Sequence, residues 1–99
     1  MTSVVYWTAQ ARQQLEQWRE TRGQQRRYQA VVKAIRLLAA DSGHPSLQTH
    51  EFTSLKGGPG GEKVFEAYAE QATPAAYRIF WYYGPKKDQI TLVAITPHP

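Results

Sequence analysis

The apolar positions of the chain change period near its middle. At the start, Val4, Val5, Tyr6 and Trp7 form a short β-prone run that predicts a strand. Thr8 is placed as a helix N-cap, and Ala11, Leu15 and Trp18 then recur at helical spacing. Gly23 ends that helix. A second stripe follows at once through Tyr28, Val31, Val32, Ile35, Leu38 and Ala39, with Arg26, Arg27, Lys33 and Arg36 on its outer side. Asp41, Ser42 and Gly43 end it, and Pro45 prevents a restart. Residues 8 to 41 therefore predict a helical hairpin with one apolar stripe and a basic exterior.

Beyond residue 50 the period falls to two. Strands are predicted over residues 50–56, 62–70, 76–83 and 90–96, separated by the Gly57–Gly61 run, Thr73–Pro74 and Gly84–Pro85. The glycine run reads as a turn. It lacks the spacing of a phosphate-binding loop and precedes a strand instead of a helix. The expected class is α+β: an N-terminal strand, a helical hairpin, then a four-stranded antiparallel meander with both helices on one face. At 99 residues, one domain spanning 1–99 is expected.

Turn centres at Pro59, Ala72 and Lys86 or Lys87 would set Lys56 opposite Glu62, Phe52 opposite Glu66, Glu66 opposite Arg78, and Arg78 opposite Ala94 or Thr96. Alternation then gathers His50, Lys56, Glu66, Tyr68, Arg78, Tyr82 and His98 on one face. Leu55, Phe65, Tyr77, Ile79, Trp81, Val93 and Ile95 share the other, which is apolar and expected to meet the helices.

Composition narrows the class. Three Trp, six Tyr and three Phe exclude a disordered chain, and no apolar run approaches a membrane span. Cysteine is absent, and no basic, apolar leader opens the chain, so the cytoplasm is the expected compartment. Residues 1–50 hold seven basic and three acidic side chains, against five of each in residues 51–99. A basic hairpin suits an anionic partner such as nucleic acid, and equally an acidic protein.

The polar face carries groups able to cut RNA. Cleavage needs a base for the 2′-hydroxyl, cations for the crowded phosphate and an acid for the leaving oxygen. Glu66 or His50 can serve as base, His98 as acid, Arg78 and Lys56 as phosphate ligands, and Tyr68 and Tyr82 as base-stacking rings. The same residues also read as ordinary structure. Glu66 and Arg78 would make a cross-strand ion pair, Lys56 a solvated cation, His98 part of the terminal tail, and the tyrosines a sheet cover. The three histidines are isolated and match no zinc-ligand spacing, so neither metal nor cofactor is expected.

The element order, Leu55-Lys56-Gly57 before a glycine turn, and Tyr77-Arg78-Ile79 in the third meander strand together resemble the RelE/ParE toxin superfamily. The resemblance runs from Val4 to the chain end and is closer to the RelE-like branch. It implies a toxin of a type II toxin–antitoxin system that cuts mRNA in the ribosome without metal, with an antitoxin as partner. A ParE-like inhibitor of DNA gyrase, or a non-toxic antitoxin-binding relative, is the alternative it carries. By position, Lys56 and Arg78 match the family's basic site residues and His98 its C-terminal acid. Glu66 stands where many RelE-like members carry a basic residue.

Overall fold

A computed structural model describes residues 3–56, 60–70 and 76–97. The order is β1 (Val4–Trp7), α1 (Ala9–Glu20), α2 (Gln25–Ala40), a 3-10 turn (Pro45–Leu47), β2 (His50–Lys56), β3 (Lys63–Tyr68), β4 (Tyr77–Tyr83) and β5 (Gln89–Pro97). The four later strands form the expected meander, and β1 extends it as a fifth strand, parallel to β5. The sheet is therefore mixed. Among the described residues, no helix is long and apolar enough to cross a membrane.

Local chemistry explains the hairpin. The Thr8 hydroxyl accepts from the Ala11 N–H and donates to the Val93 carbonyl, so one side chain caps α1 and ties it to β5. Gly23 takes φ +87° in the connection between the helices, where a side chain would be strained. The helices bury Ala11, Trp18, Val31 and Leu38 against Ile79, Trp81, Leu92 and Ile95 of the sheet. This is the main core.

Three expectations about register are corrected. Around the glycine turn, His50 and not Phe52 lies opposite Glu66, and Lys56 lies opposite Lys63 and not Glu62; a bulge falls between Glu51 and Lys56. Across β3 and β4, Glu66 lies opposite Phe80, and Tyr68 lies opposite Arg78. That pairing is offset by two positions from the expected one, which preserves faces because the side-chain period is two. In β5 the pairing jumps between Phe80↔Ala94 and Trp81↔Leu92, leaving Val93 as an extra residue. The bulge flips the alternation. Ile95 faces the helices as expected, but Leu92 and Ile90 take the core positions that Val93 was expected to share. Arg78 opposite Thr96 is as read from the sequence.

The face away from the helices is not uniformly polar. Val64 and Phe80 are buried there, and Phe52 packs edge-on against Phe80 with ring centroids 5.0 Å apart. This second apolar patch separates the polar end of the face from Tyr82.

Candidate functional site

The polar end is built by three strand starts and ends. Gln48 adopts a left-handed conformation after the 3-10 turn and redirects the chain so that His50 opens β2. Glu66 and Tyr68 come from the end of β3, Arg78 from the start of β4, and Thr96 from the end of β5. All five lie on the face away from the helices.

His50 and Glu66 form the first unit. Nε2 of His50 lies 2.6 Å from Oε1 of Glu66. The Glu66 side chain is 0% exposed, whereas that of His50 is 49% exposed. Nδ1 of His50 lies 2.9 Å from the Gln48 carbonyl, an oxygen that only accepts. In the tautomer that protonates Nδ1, that atom donates to the carbonyl and Nε2 faces the Glu66 carboxylate. Of the two groups, the imidazole alone meets solvent.

Arg78 and Tyr68 form the second unit. The guanidinium carbon sits 3.6 Å from the Tyr68 ring centroid. Nη1 donates to the Glu70 carbonyl at 2.8 Å. Arg78 is 9% exposed, and its buried Nε has no hydrogen-bond partner among the described residues. The stacked ring and the carbonyl fix the fork while leaving donor capacity unused. The His50 and Tyr68 rings meet edge to face at 6.3 Å, which joins the two units.

A support not legible in the sequence holds Arg78 in place. Nε of Arg27, on α2, donates to the Glu70 carboxylate at 3.1 Å, and the same oxygen accepts the Tyr77 N–H. The Arg27 guanidinium also lies 4.2 Å from the Tyr77 ring, which in turn packs edge-on against Trp18. Arg27 is thus partly buried and does not belong to the solvated exterior expected of it. Only the packing of α2 on the end of β3 brings residues 27 and 70 together, so no local pattern signals the pair.

The other expected site residues fall elsewhere. Tyr82 is 9% exposed, four residues along β4 from Arg78, or roughly 13 Å. The structure does not bring it into this cluster. The backbone of Lys56 closes β2, and its side chain lies outside the described part. His98 also lies outside the described residues.

No family model and no curated protein matches the chain. Two solved structures do. It is similar to a YoeB/ParE toxin from Agrobacterium tumefaciens, at 11% identity and TM-score 0.71 over 97% of this chain and 99% of that one. It is also similar to an archaeal RelE–RelB complex from Pyrococcus horikoshii OT3, at 15% identity and TM-score 0.66 over 98% and 96%. The fold is the RelE/ParE fold. Near-complete coverage of both chains means that this chain has no large insertion or missing element relative to either. The expected α+β class and the resemblance in architecture are borne out at the level of fold.

Proposed function

We propose that this chain is the toxin of a type II toxin–antitoxin pair, held inactive by its antitoxin, and that it cleaves mRNA on the ribosome. One observation carries this reading: a buried guanidinium, whose Nε has no hydrogen-bond partner among the described residues, stands near a half-exposed imidazole paired to a fully buried carboxylate. In the reaction the RNA 2′-oxygen attacks the adjacent phosphorus, a P–O bond forms, and the bond to the 5′-oxygen breaks. Arg78 binds the phosphate and stabilises its extra charge. Tyr68 backs the guanidinium and holds its plane in place.

His50 is the proton-transfer group. Glu66 is too buried to meet a 2′-hydroxyl, so it acts through His50 as a positioning residue. Its carboxylate holds the proton on Nε2 and leaves Nδ1 as the outward atom. With Nδ1 unprotonated, His50 takes the 2′-hydroxyl proton as the new P–O bond forms, and His98 gives a proton to the departing 5′-oxygen. The exposed bond to Gln48 is worth only about 1 kcal/mol, so a substrate hydroxyl can replace it. His98 and Lys56 keep the proposed roles of acid for the leaving oxygen and additional phosphate cation.

The test is tightly controlled induction, with mRNA 5′ ends mapped within minutes. New ends phased to codons in translated regions are expected, and Arg78→Ala removes them while the protein stays folded. Growth arrest with intact mRNA and a DNA-damage response would overturn this reading in favour of gyrase inhibition. Normal growth with intact mRNA would leave antitoxin binding alone.

A further inference from the structure

Among the described residues, β1 forms one edge of the sheet and β2 the other. The two edges differ. β2 carries Glu51 and Lys56 with a bulge between them, and charges and bulges discourage another strand from pairing. β1 is the uninterrupted run Val4-Val5-Tyr6-Trp7, with no charge, proline or bulge. Val4 is 55% exposed and Tyr6 44%, although both are large and apolar. Val5 and Trp7 pack against the core, so Val4 and Tyr6 stand on the face away from the helices.

The backbone of β1 also has a free side. The Val4 N–H donates to the Asp88 carbonyl at 2.9 Å, and the Thr8 N–H to the Leu92 carbonyl at 3.0 Å. In a parallel ladder alternate residues bond the neighbouring strand, so Val5 and Trp7 turn both N–H and C=O toward the open edge. On the helix side, a hollow of about 220 Å³ lies between β1 and α1, lined by Trp7 and Leu15 with Arg12, Glu16 and Arg19. Glu16 stands about one helical turn from each arginine, so this rim holds both signs of charge. The exposed face of α2, by contrast, holds Arg26, Lys33 and Arg36 and no carboxylate.

We propose that β1 pairs antiparallel with β1 of a second copy of this chain across a two-fold axis, joining the two five-stranded sheets into one. Tyr6 lies on the axis, opposite Tyr6 of the second copy, and Val5 lies opposite Trp7. Each Val5–Trp7 pair exchanges both of its backbone hydrogen bonds. Centring the pair on Val5 instead would need Ser3, whose N–H already donates to the Ala39 carbonyl at 2.7 Å. A second copy fits because the edge complements itself. Apolar Val5 and Trp7 meet on the helix side, the two Tyr6 rings meet on the other, and the mixed-charge rim of α1 can pair with its own image. Copies meeting through the basic face of α2 would repel. The dimer leaves the candidate site clear, since His50 sits on β2, four strands or roughly 19 Å from β1. The inference is independent of the RNA-cleaving reading.

Sedimentation equilibrium of the purified chain over a range of concentrations tests it, together with amide hydrogen exchange read residue by residue. A concentration-dependent monomer–dimer equilibrium is expected. Exchange at Val5 and Trp7 should slow as concentration rises, while exchange at Val4 and Tyr6, already bonded to β5, changes less. Tyr6→Lys removes the ring pair and sets two ammonium groups face to face, so the dimer Kd should rise about tenfold or more. Tyr6 is exposed, so the variant should keep the circular dichroism of the parent. Should it fail to fold, Val4→Lys is the second variant, with about threefold weaker association expected. A chain that stays monomeric at every concentration, with rapid exchange at Val5 and Trp7, would overturn the proposal. A dimer whose Kd is unchanged in Tyr6→Lys would place the interface on another surface and overturn it too. Protection of Val5 and Trp7 that appears only when a different protein is added would assign the edge to that protein instead of a second copy.

Discussion

Two carboxylates, Glu66 and Glu70, stand four residues apart at the end of β3, and their surroundings differ. Glu70 is closed off: Arg27 and the Tyr77 N–H share one oxygen, and its own backbone carbonyl accepts from Arg78. Its partners are a side chain rooted in α2 and the backbone of β4. Glu66 is more deeply buried, yet its described partner is a half-exposed imidazole at the first residue of β2. The first carboxylate anchors a cation and fixes the sheet end to the helix. The second conditions a group that reaches solvent. Burial alone therefore does not distinguish the two carboxylates; the exposure of the partner does.

Mutations can break this contrast. The largest effect is expected for Arg78→Ala, with cleavage falling roughly a thousandfold, as when a transition-state donor is lost. Mapped 5′ ends measure it, and Arg78→Lys should recover little because the ammonium lacks the fork and the stacking plane. His50→Ala should follow, with roughly a hundredfold loss and near-normal stability, since the ring is half-exposed. A loss of stability equal to that of a core substitution would move His50 to the structural side of the comparison.

Arg27→Ala should show the reverse pattern. It removes a partly buried charged hydrogen bond and a ring contact, so urea denaturation should report about 2 kcal/mol of lost stability. Cleavage should fall less than tenfold, through looser placement of the Glu70 carbonyl under Arg78. A larger loss of cleavage than in His50→Ala would place Arg27 in the reacting machinery. The smallest effect is expected at Trp81→Phe. Trp81 is 0% exposed, but its indole N–H has no hydrogen-bond partner among the described residues. Removing an unpartnered buried donor offsets part of the lost packing, so thermal denaturation should show a cost of under about 1.5 kcal/mol.

The sequence by itself determined the elements, the α+β class and the faces of β3, β4 and the start of β2. Those follow from local periodicity: a stripe every three to four residues, then alternation, with turn residues at the breaks. Thr8, Gly23 and Pro45 mark boundaries through their own backbone chemistry. It also determined that His50, Glu66, Tyr68 and Arg78 share a face, because an error of two positions in pairing leaves that face unchanged. Tertiary structure decided the rest. Opposition of His50 to Glu66, and of Tyr68 to Arg78, depends on where each turn closes, which composition does not specify. The bulge at Val93 depends on packing against α1, whose Thr8 takes the Val93 carbonyl. The place of β1 beside β5, and the Arg27–Glu70 pair, join segments far apart in sequence. Such contacts arise from chain-wide packing, and no local pattern encodes them.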